Sequence, residues 1–387
     1  MFMFSQLTSF RKKLSLNQLL CGFFCVILIL VYSAFWFFFS RKIENRVSDI
    51  LVSASSRSIT AVCEHLRKNG YPLRIGVVCD KFQFVWPLHG FSLSTGRLTA
   101  GAPIYAPQWV ELNVHSPASI ALAGKAPIIS HWRNLVIEAE PYWRTGKTFK
   151  FMAEGLEISR VVSSFENQKL QGALKSQTVD KKTLQESAED HASLNDADDT
   201  IVHPLDQKNT ALKITAEFVR LDLKNEKNNL SGHVTFDSFD SSSFFAPYFV
   251  DFPKIDGNLK WNLNDVSNLF DANGGSGWKQ RLYGKSGILK RGEFIFHTGG
   301  VVHVSGPFSF DDKGYLSAKF ELAFPEHAEF LTTAQRLFPA QTNNLQALFF
   351  ILGAMPKNAE GHPIIPLQIT HGWAKLGFLK LGRLAPL

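Results

Sequence analysis

An uninterrupted apolar segment near the N-terminus, Leu19–Phe39, constrains this chain more than any other feature. It carries no charged residue, and as a helix it would span roughly 31 Å, the thickness of one hydrocarbon core. Tyr32 and Trp36 lie near its C-terminal end, where amphipathic rings sit at a membrane interface. A cleaved signal peptide has a shorter apolar region followed by a small-residue cleavage site, whereas this segment leads directly to Arg41. The sequence therefore favours an uncleaved transmembrane anchor over a signal peptide.

The orientation of the anchor does not follow from its flanking charges, because three basic residues stand on each side. The cysteines give a second criterion. Cys21 and Cys25 lie inside the apolar segment, and the rest of the chain contains only Cys63 and Cys79. This pair lacks the close spacing of zinc sites, so a disulfide is the leading interpretation and two buried reduced thiols are the alternative. Because disulfides persist in oxidising compartments, we expect a single-pass inner-membrane protein with the bulk of the chain in the periplasm.

Beyond the anchor, the apolar pattern changes from a helical period to an alternating one. Apolar side chains recur at helical spacing as far as Leu66, and Gly70 then provides a stop, so we expect a membrane-proximal helix that ends at about Lys68. Later segments alternate, as in Leu316–Phe324, which is typical of half-buried strands. In Ala211–Leu223 the alternation slips by one residue, which indicates a bulge or bend.

Around thirteen such strands, separated by turns at hairpin spacing, indicate antiparallel meanders. The expected fold is mainly β: a large curved antiparallel sheet, forming a groove, a trough or a barrel-like closure, with an N-terminal transmembrane helix and a few packing helices. Two or three helices are too few to cover one face of so wide a sheet. Its apolar side is then shielded either by closure on itself or by lipid acyl chains in a long trough, and the alternation alone fits both.

The composition divides the chain into five segments. Residues 166–210 contain no Phe, Tyr or Trp and are rich in polar residues, which is typical of a solvated, disordered insertion. The expected order is a cytoplasmic tail and transmembrane anchor at 1–40, a membrane-proximal helix at 41–69, a first β-rich half at 70–165, the polar insertion at 166–210, and a second β-rich half with C-terminal helices and a final hairpin at 211–387.

No set of residues typical of catalysis, cofactor binding or metal binding stands out in the sequence. The net charge of +7 comes from interspersed bases without a block of five, so we expect no nucleic-acid partner. Phosphate-binding loops, nucleophile elbows and zinc-protease helix motifs do not occur. A two-residue turn at Gly299-Gly300 would direct the imidazoles of His297 and His303 to opposite faces. We therefore predict no catalytic, cofactor or metal site, and no cofactor.

Three segments, together with the anchor, resemble one bacterial family. They are GYPLRIGVVCD at 70–80, LTAGAPIYAPQWVELNVHSPASI at 98–120 and PLQITHGWAKLGFLKLGRLAPL at 366–387. From about Ser40 onward the chain is similar to the single-pass envelope proteins of domain-of-unknown-function family 2125, which implies no catalytic residue. The C-terminal part also resembles AsmA-like envelope proteins, and that resemblance implies an association with moving or organising phospholipid between membranes.

These observations lead to two hypotheses for function. The first is a non-enzymatic, inner-membrane-anchored periplasmic protein that binds or handles lipid or supports cell-envelope integrity. The second is a periplasmic structural or scaffold protein whose β-rich body docks a protein partner, and a hydrolase is a more distant third. The expected partners are the inner membrane and phospholipid, without a nucleic acid.

Overall fold

A computed structural model describes most of the chain outside the polar insertion at 166–210. The described residues are 16–55, 59–87, 90–140, 147–161, 211–226, 228–245, 252–266, 279–337, 339, 342–352, 355–377 and 379–387. Their helices are α1 Leu16–Ser55, α2 Ser242–Phe245, α3 His327–Leu337 and α4 Thr342–Leu352.

The strands of the described residues are, in chain order, β1 Thr60–Glu64, β2 Arg67–Asn69, β3 Arg74–Cys79, β4 Lys81–Trp86, β5 Phe91–Thr95, β6 Leu98–Pro103, β7 Val110–Val114, β8 Ala118–Leu122, β9 Ile128–His131, β10 Asn134–Ala139, β11 Lys147–Val161, β12 Ala211–Glu226, β13 Asn229–Phe239, β14 Ile255–Leu263, β15 Ser286–Phe296, β16 Val301–Phe310, β17 Leu316–Ala323, β18 Ile364–Thr370, β19 Trp373–Leu376 and β20 Leu379–Arg383.

Helix α1 carries the apolar segment and continues beyond it to Ser55. Its stretch Leu20–Ser53 is long and apolar enough to cross a membrane, which fits a single-pass anchor or a signal sequence. The predicted continuation of this helix to Lys68 is wrong, because β1 and β2 occupy that region. Four serines between residues 53 and 58 disfavour the helix, since their hydroxyl groups compete for backbone hydrogen bonds. Pairing of β1 with β4 then supplies the backbone partners.

The sheet is a meander, in which each crossing of the sheet pairs with the crossing that follows it in the chain. The first ten strands act as five long ones, because each pair from β1-β2 to β9-β10 continues in one direction after a short break. The ten strands from β11 to β20 follow, so the chain crosses the sheet fifteen times. Every crossing is antiparallel to the next one, which confirms the predicted hairpin connectivity.

The breaks in the first five crossings line up as a crease across the sheet. Hydrogen bonds continue through the crease, as where Gly96 N donates to Pro117 O at 3.0 Å. In β11 the crease passes through Gly155, whose φ of 60° lies in the left-handed region. A Cβ atom at Gly155 would lie 2.6 Å from Arg133 Nε, so both backbone conformation and space favour glycine there.

The predicted slip of apolar phase in β12 is confirmed as a bend shared with β11. Ala153 pairs with Val219, and Leu156 pairs with Ala216. In each strand these residues are three positions apart, whereas residues on one face of a regular strand are two apart, yet Ala153 and Leu156 pack in one apolar cluster. The pairing register continues across the crease, so the change of phase is a bend that both strands share and not a bulge in one of them.

Alternation along the strands gives the sheet one apolar and one polar face, because successive side chains point to opposite faces. One row of directly paired residues, the apolar row, crosses from β3 to β18: Val77, Ala100, Leu112, Ile137, Phe151, Leu221, Val234, Leu259, Gly292, Val304, Leu322 and Ile365. The neighbouring row on the other face, the polar row, runs from β7 to β15: Glu111, Glu138, Lys150, Asp222, His233, Lys260 and Arg291.

The sheet does not close on itself. Its two edges are β1-β2 and β20, and among the described strands none pairs one edge with the other. The predicted fold class is confirmed as a mainly β, large, open antiparallel sheet with an N-terminal apolar helix and a few further helices. Fifteen crossings would make a flat sheet on the order of 70 Å wide, and sheets of that width curl.

Helices α3 and α4 cover the apolar face near its C-terminal end. Phe330 of α3 and the fully buried Leu352 of α4 belong to a cluster with Val302 and Phe324 of the sheet. Phe330 and Phe349 lie with their ring centroids 5.9 Å apart, so the two helices also pack on each other. This cluster is the main buried core that the structure describes outside the sheet itself.

The tip of the β15–β16 hairpin is shaped by this helical cover. A Cβ atom at Gly300 would lie 2.5 Å from Phe330 Cα, so only glycine allows the hairpin and α3 to approach this closely. The predicted two-residue turn is wrong, because His303 pairs with Glu293 and not with Phe296. The hairpin loop is longer than predicted, and the observed register between β15 and β16 differs from the predicted one by three residues. Because side chains alternate between the two faces, an odd difference changes which residues of β15 and β16 share a face.

We predict that the disulfide between Cys63 and Cys79 stabilises the body of the protein by about 3 kcal/mol. The structure joins their sulfur atoms across a sequence separation of 16, which links β1 to β3 beside the crease. Closing a loop of this size restricts the unfolded chain and leaves the native sheet intact. Substitution C63A/C79A should therefore lower the free energy of unfolding by that amount in denaturant titrations of the full chain.

Dithiothreitol should reproduce the loss in the wild-type protein and have no effect on C63A/C79A. The control variant C21A/C25A removes the two free cysteines of α1 and should respond to dithiothreitol as the wild type does. Equal unfolding midpoints for oxidised and reduced wild-type protein would contradict the prediction.

Candidate functional site

The candidate functional surface is the middle of the apolar face. At the ends of the apolar row, Val77 and Ile365 are 5% and 4% exposed. Helix α1 contacts β1, β2 and β3 at one edge, and α3 and α4 cover the other end. Between them the side chains are half-buried, and no described helix makes more than a weak contact with β7, β10, β11, β13 or β14. Ile137 and Phe151 also pack against the buried Trp132, Leu135 and Ala153. We call this set the open apolar surface: Leu112, Ile137, Phe151, Leu221, Val234 and Leu259.

The opposite face of the same strands is charged and solvated. Lys150 Nζ lies 2.9 Å from Glu138 Oε2, and Arg220 Nε lies 2.8 Å from Asp222 Oδ2. The hydrogen bonds and charge of Asp222 raise the pKa of Arg220, so the guanidinium stays charged. Because these charged side chains lie on the opposite face, the open apolar surface has no polar side chain that could orient a polar ligand.

An open recess of about 350 Å³ continues this face toward β17. Its volume is within the range of pockets that hold small ligands, roughly 300–1,000 Å³. Leu282, in the connection between β14 and β15, closes one side of the recess. The remaining lining comes from the strands: Trp261, Leu263, Leu289, Phe308, Phe310, Leu316 and Phe320. All eight side chains are hydrophobic, which suits hydrocarbon, and the indole N–H of Trp261 is their one polar group.

The membrane helix is fixed to the body by Trp36. Its indole is 3% exposed, and Nε1 donates a hydrogen bond to the carbonyl oxygen of Arg74 at 2.7 Å. The Tyr71 ring packs edge-on against the same indole, with centroids 5.2 Å apart. Lys68 Nζ lies 5.6 Å from the centroid of Phe37, which adds a cation–π contact. These contacts of Trp36 and Phe37 fix α1 against the start of β3, and we call them the joint between the helix and the body.

The turn between β2 and β3 lies beside the apolar segment of α1. The hydroxyl group of Tyr32 donates to the carbonyl oxygen of Pro72, and Ser33 Oγ lies 2.8 Å from the Tyr71 hydroxyl oxygen. Leu73 in this turn is 66% exposed, and Ile104 N donates to its carbonyl oxygen. The turn thus presents the exposed side chain of Leu73 beside the apolar segment of α1.

The other turns at this end of the meander include β6–β7 and β14–β15. Tyr105, in the first of these turns, is 83% exposed. The lining of the recess includes Leu263 and Leu282, at the end of β14 and in the connection that follows it, so the recess lies at the same end. The open apolar surface runs from strand to strand across the sheet.

A polar network connects this joint to β7. Arg74 donates from its guanidinium to Glu111 Oε2 at 2.8 Å, and Asn113 Nδ2 donates to Glu111 Oε1 at 2.7 Å. Burial raises the pKa of Glu111, but the hydrogen bonds and the charge of Arg74 outweigh it, so the pKa lies below its ordinary value. Glu111 is therefore ionised at neutral pH. Arg74 is held at two points, because its backbone carbonyl accepts a hydrogen bond from Trp36 and its guanidinium donates one to Glu111.

The residues that the sequence singled out lie away from the open apolar surface. Leu19 and Phe39 lie in α1, and the Cys63–Cys79 disulfide lies at the edge of the sheet. Sequence analysis missed one group. His303, Glu360 and His362 lie close enough to hold a metal ion, and their separation along the chain conceals this. The local signal was the sequence Glu360-Gly361-His362, a short acidic and imidazole pair around a turn glycine.

Comparison with protein families gives a match over residues 36–385 to a family described as uncharacterized protein conserved in bacteria, DUF2125. The chain belongs to this family. The match begins at Trp36, where α1 joins the body, and includes the whole described sheet of this DUF2125 protein. No match is found among curated proteins or among solved structures. The resemblance to AsmA-like proteins stays a prediction.

We predict that W36A loosens the joint between the anchor and the body. Removal of a buried Trp side chain costs about 3–5 kcal/mol, and here it also removes the hydrogen bond to Arg74. In bilayer nanodiscs the variant should be cleaved faster by protease and should melt at a lower temperature. The control F38A, on the same helix at 67% exposure, should behave as the wild type does. Equal cleavage rates for all three proteins would contradict the joint.

Proposed function

We propose that this DUF2125 protein is a non-enzymatic, inner-membrane-anchored protein of the periplasm that binds phospholipid acyl chains and thereby supports the cell envelope. The observation that carries the proposal is the open apolar surface: a row of directly paired apolar side chains, half-buried over six strands, five of which make no more than a weak contact with a described helix. The role requires no catalytic group and no cofactor.

The size of this surface supports a bound apolar ligand. Strand β11 alone has 15 residues and is about 50 Å long at 3.3 Å per residue. The other five strands are mostly shorter, and the six together cover on the order of 1,000 Å² of sheet on one face. Exposed apolar patches larger than about 300–600 Å² mark sites that bind a protein, a membrane or an apolar ligand. The apolar face of these strands is large enough to provide such a site.

Acyl chains suit this surface better than a protein partner does. The transfer of an acyl chain of about fifteen methylene groups from a bilayer into water costs on the order of 12 kcal/mol of free energy. A lipid therefore leaves a bilayer readily only along a continuous apolar path. The open apolar surface offers such a path, since the turns beside α1 stand at one end of it. A protein partner would also leave hydrogen-bonding groups to satisfy, and the apolar row provides no partner for them.

Two features support the periplasm as the compartment of the sheet. A disulfide between Cys63 and Cys79 is maintained where the surroundings are oxidising, and the apolar length of α1 suits one crossing of the inner membrane. Together these features support a periplasmic position for the sheet.

We predict that the body is accessible from the periplasmic side only. Two single-cysteine reporters test this: K125C in the exposed β8–β9 turn and S9C before the apolar segment. In intact spheroplasts, a membrane-impermeant maleimide should label K125C at once and S9C only after permeabilisation. The reverse order would place the sheet in the cytoplasm and remove this part of the proposal.

We predict that lipid contacts one face of the sheet and not the other. A photoreactive p-benzoyl-phenylalanine, placed at single positions and irradiated in living cells, should form phospholipid adducts on the apolar face, because only that face is apolar. Mass spectrometry of the purified chain measures the adduct. Three adjacent pairs provide matched controls, with the apolar-face position first: 137 and 138, 221 and 222, and 320 and 319.

Each outcome of this experiment decides between the hypotheses. Phospholipid adducts at 137, 221 and 320, with few at their neighbours, support the proposal. Adducts to another protein at these three positions would favour the scaffold hypothesis. Equal adduct yields on both faces would mean that the sheet contacts lipid without selecting it, and the proposal would be wrong.

A further inference from the structure

A group of histidine and carboxylate side chains lies on the polar face, on the side opposite to the open apolar surface. His303 belongs to β16, where it pairs with Glu293 on one side and with Ala323 on the other. Its neighbour Val302 is buried with the helical cover, so His303 points away from that core. The imidazole is half-buried, with 22% of the side chain exposed.

The other two members come from the loop that leads into β18, and this loop has a fixed shape. Asn358 Oδ1 accepts hydrogen bonds from the backbone nitrogen atoms of Glu360 at 3.1 Å and His362 at 2.8 Å. Asn358 N donates to His362 O at 2.8 Å, and Gly361 takes the left-handed φ of 83° that the turn requires. Glu360 and His362 are therefore held toward β16 before any ligand binds.

The geometry of the three side chains suits one metal ion. Their ligand atoms all lie within 4.8 Å of one another, and His362 Nδ1 lies 3.4 Å from Glu360 Oε2. The imidazole rings of His303 and His362 have centroids 6.2 Å apart. A tetrahedral zinc ion with bonds of about 2.0–2.1 Å needs ligand atoms about 3.3 Å apart, so small side-chain rotations complete the site.

The proposed ligand atom on His362 is only weakly satisfied by the protein. His362 Nδ1 is buried and makes no hydrogen bond among the described residues, and its contact with Glu360 Oε2 is a long 3.4 Å. A bound cation would satisfy both atoms. Glu293 lies 3.8 Å from His303 Nε2 and is already held by Arg291 at 2.7 Å, so it suits an outer position that orients the histidine.

We propose that His303, Glu360 and His362 bind a divalent transition-metal ion of the zinc class, with a water molecule as the fourth ligand. Two imidazoles and one carboxylate select zinc-like ions over Mg²⁺ and Ca²⁺, which prefer oxygen ligands. The ion would join β16 to the loop that follows α3 and α4 and thereby lock the helical cover onto the sheet. The site does not depend on lipid binding, because it lies on the other face.

The experiment uses the full chain with its affinity tag removed, in detergent, in a C21S/C25S background that eliminates the free thiols of α1. Titration calorimetry with ZnCl₂ should give one ion per chain, and MgCl₂ should give no binding. H303A and H362A should each weaken zinc binding at least about 100-fold, and E360Q should weaken it at least about 10-fold. H131A, which removes an exposed histidine elsewhere in the sheet, should bind zinc as the parent does.

A thermal melt in EDTA establishes that each variant is folded, and zinc should raise the melting temperature of the parent and of H131A only. X-ray absorption at the zinc edge should report two imidazole ligands in the parent. Parent protein that binds no zinc below about 100 µM, or unchanged affinity in the H303A/H362A double variant, would overturn the site. The histidines would then serve only as partners of Glu293 and Glu360.

Discussion

The structure depends on one constraint: fifteen consecutive crossings pair edge to edge in a single layer, and their side chains alternate between two faces. Pairing residue for residue carries the apolar character of one strand to the next, so Leu112, Phe151 and Leu259 lie in one row although they are far apart in sequence. Two helices cover only one end of the resulting face. An extended apolar surface is therefore a direct consequence of the topology, and the proposed lipid-binding role follows from it.

The two faces of the sheet divide the chemistry of the protein. The apolar face has nothing to orient a polar ligand, whereas the polar face carries ion pairs and the group of His303, Glu360 and His362. Helix α1 is coupled to the polar face through β3: Trp36 binds the backbone of Arg74, and the Arg74 side chain binds Glu111 on the polar face. These contacts fix the start of the sheet on α1.

Most of the fold could be predicted from local patterns. The charge-free run of α1, the alternation in Leu316–Phe324 and the slip in β12 are each set within a few residues, where propensity and periodicity act. The same reasoning failed at Lys68, because pairing of β1 with β4 overrode a helical spacing. It also failed at the β15–β16 hairpin, where contact between Gly300 and Phe330 of α3 sets the loop length.

The sequence by itself determined the membrane helix, the cysteine pair, the antiparallel strands and their apolar faces, because these depend on neighbours along the chain. Only the tertiary structure decided that the sheet stays open, that Trp36 joins α1 to β3, and that Glu360 and His362 approach His303. Each of these depends on contacts between segments distant in sequence, and no local period records which strand edges meet or which loop folds over which strand.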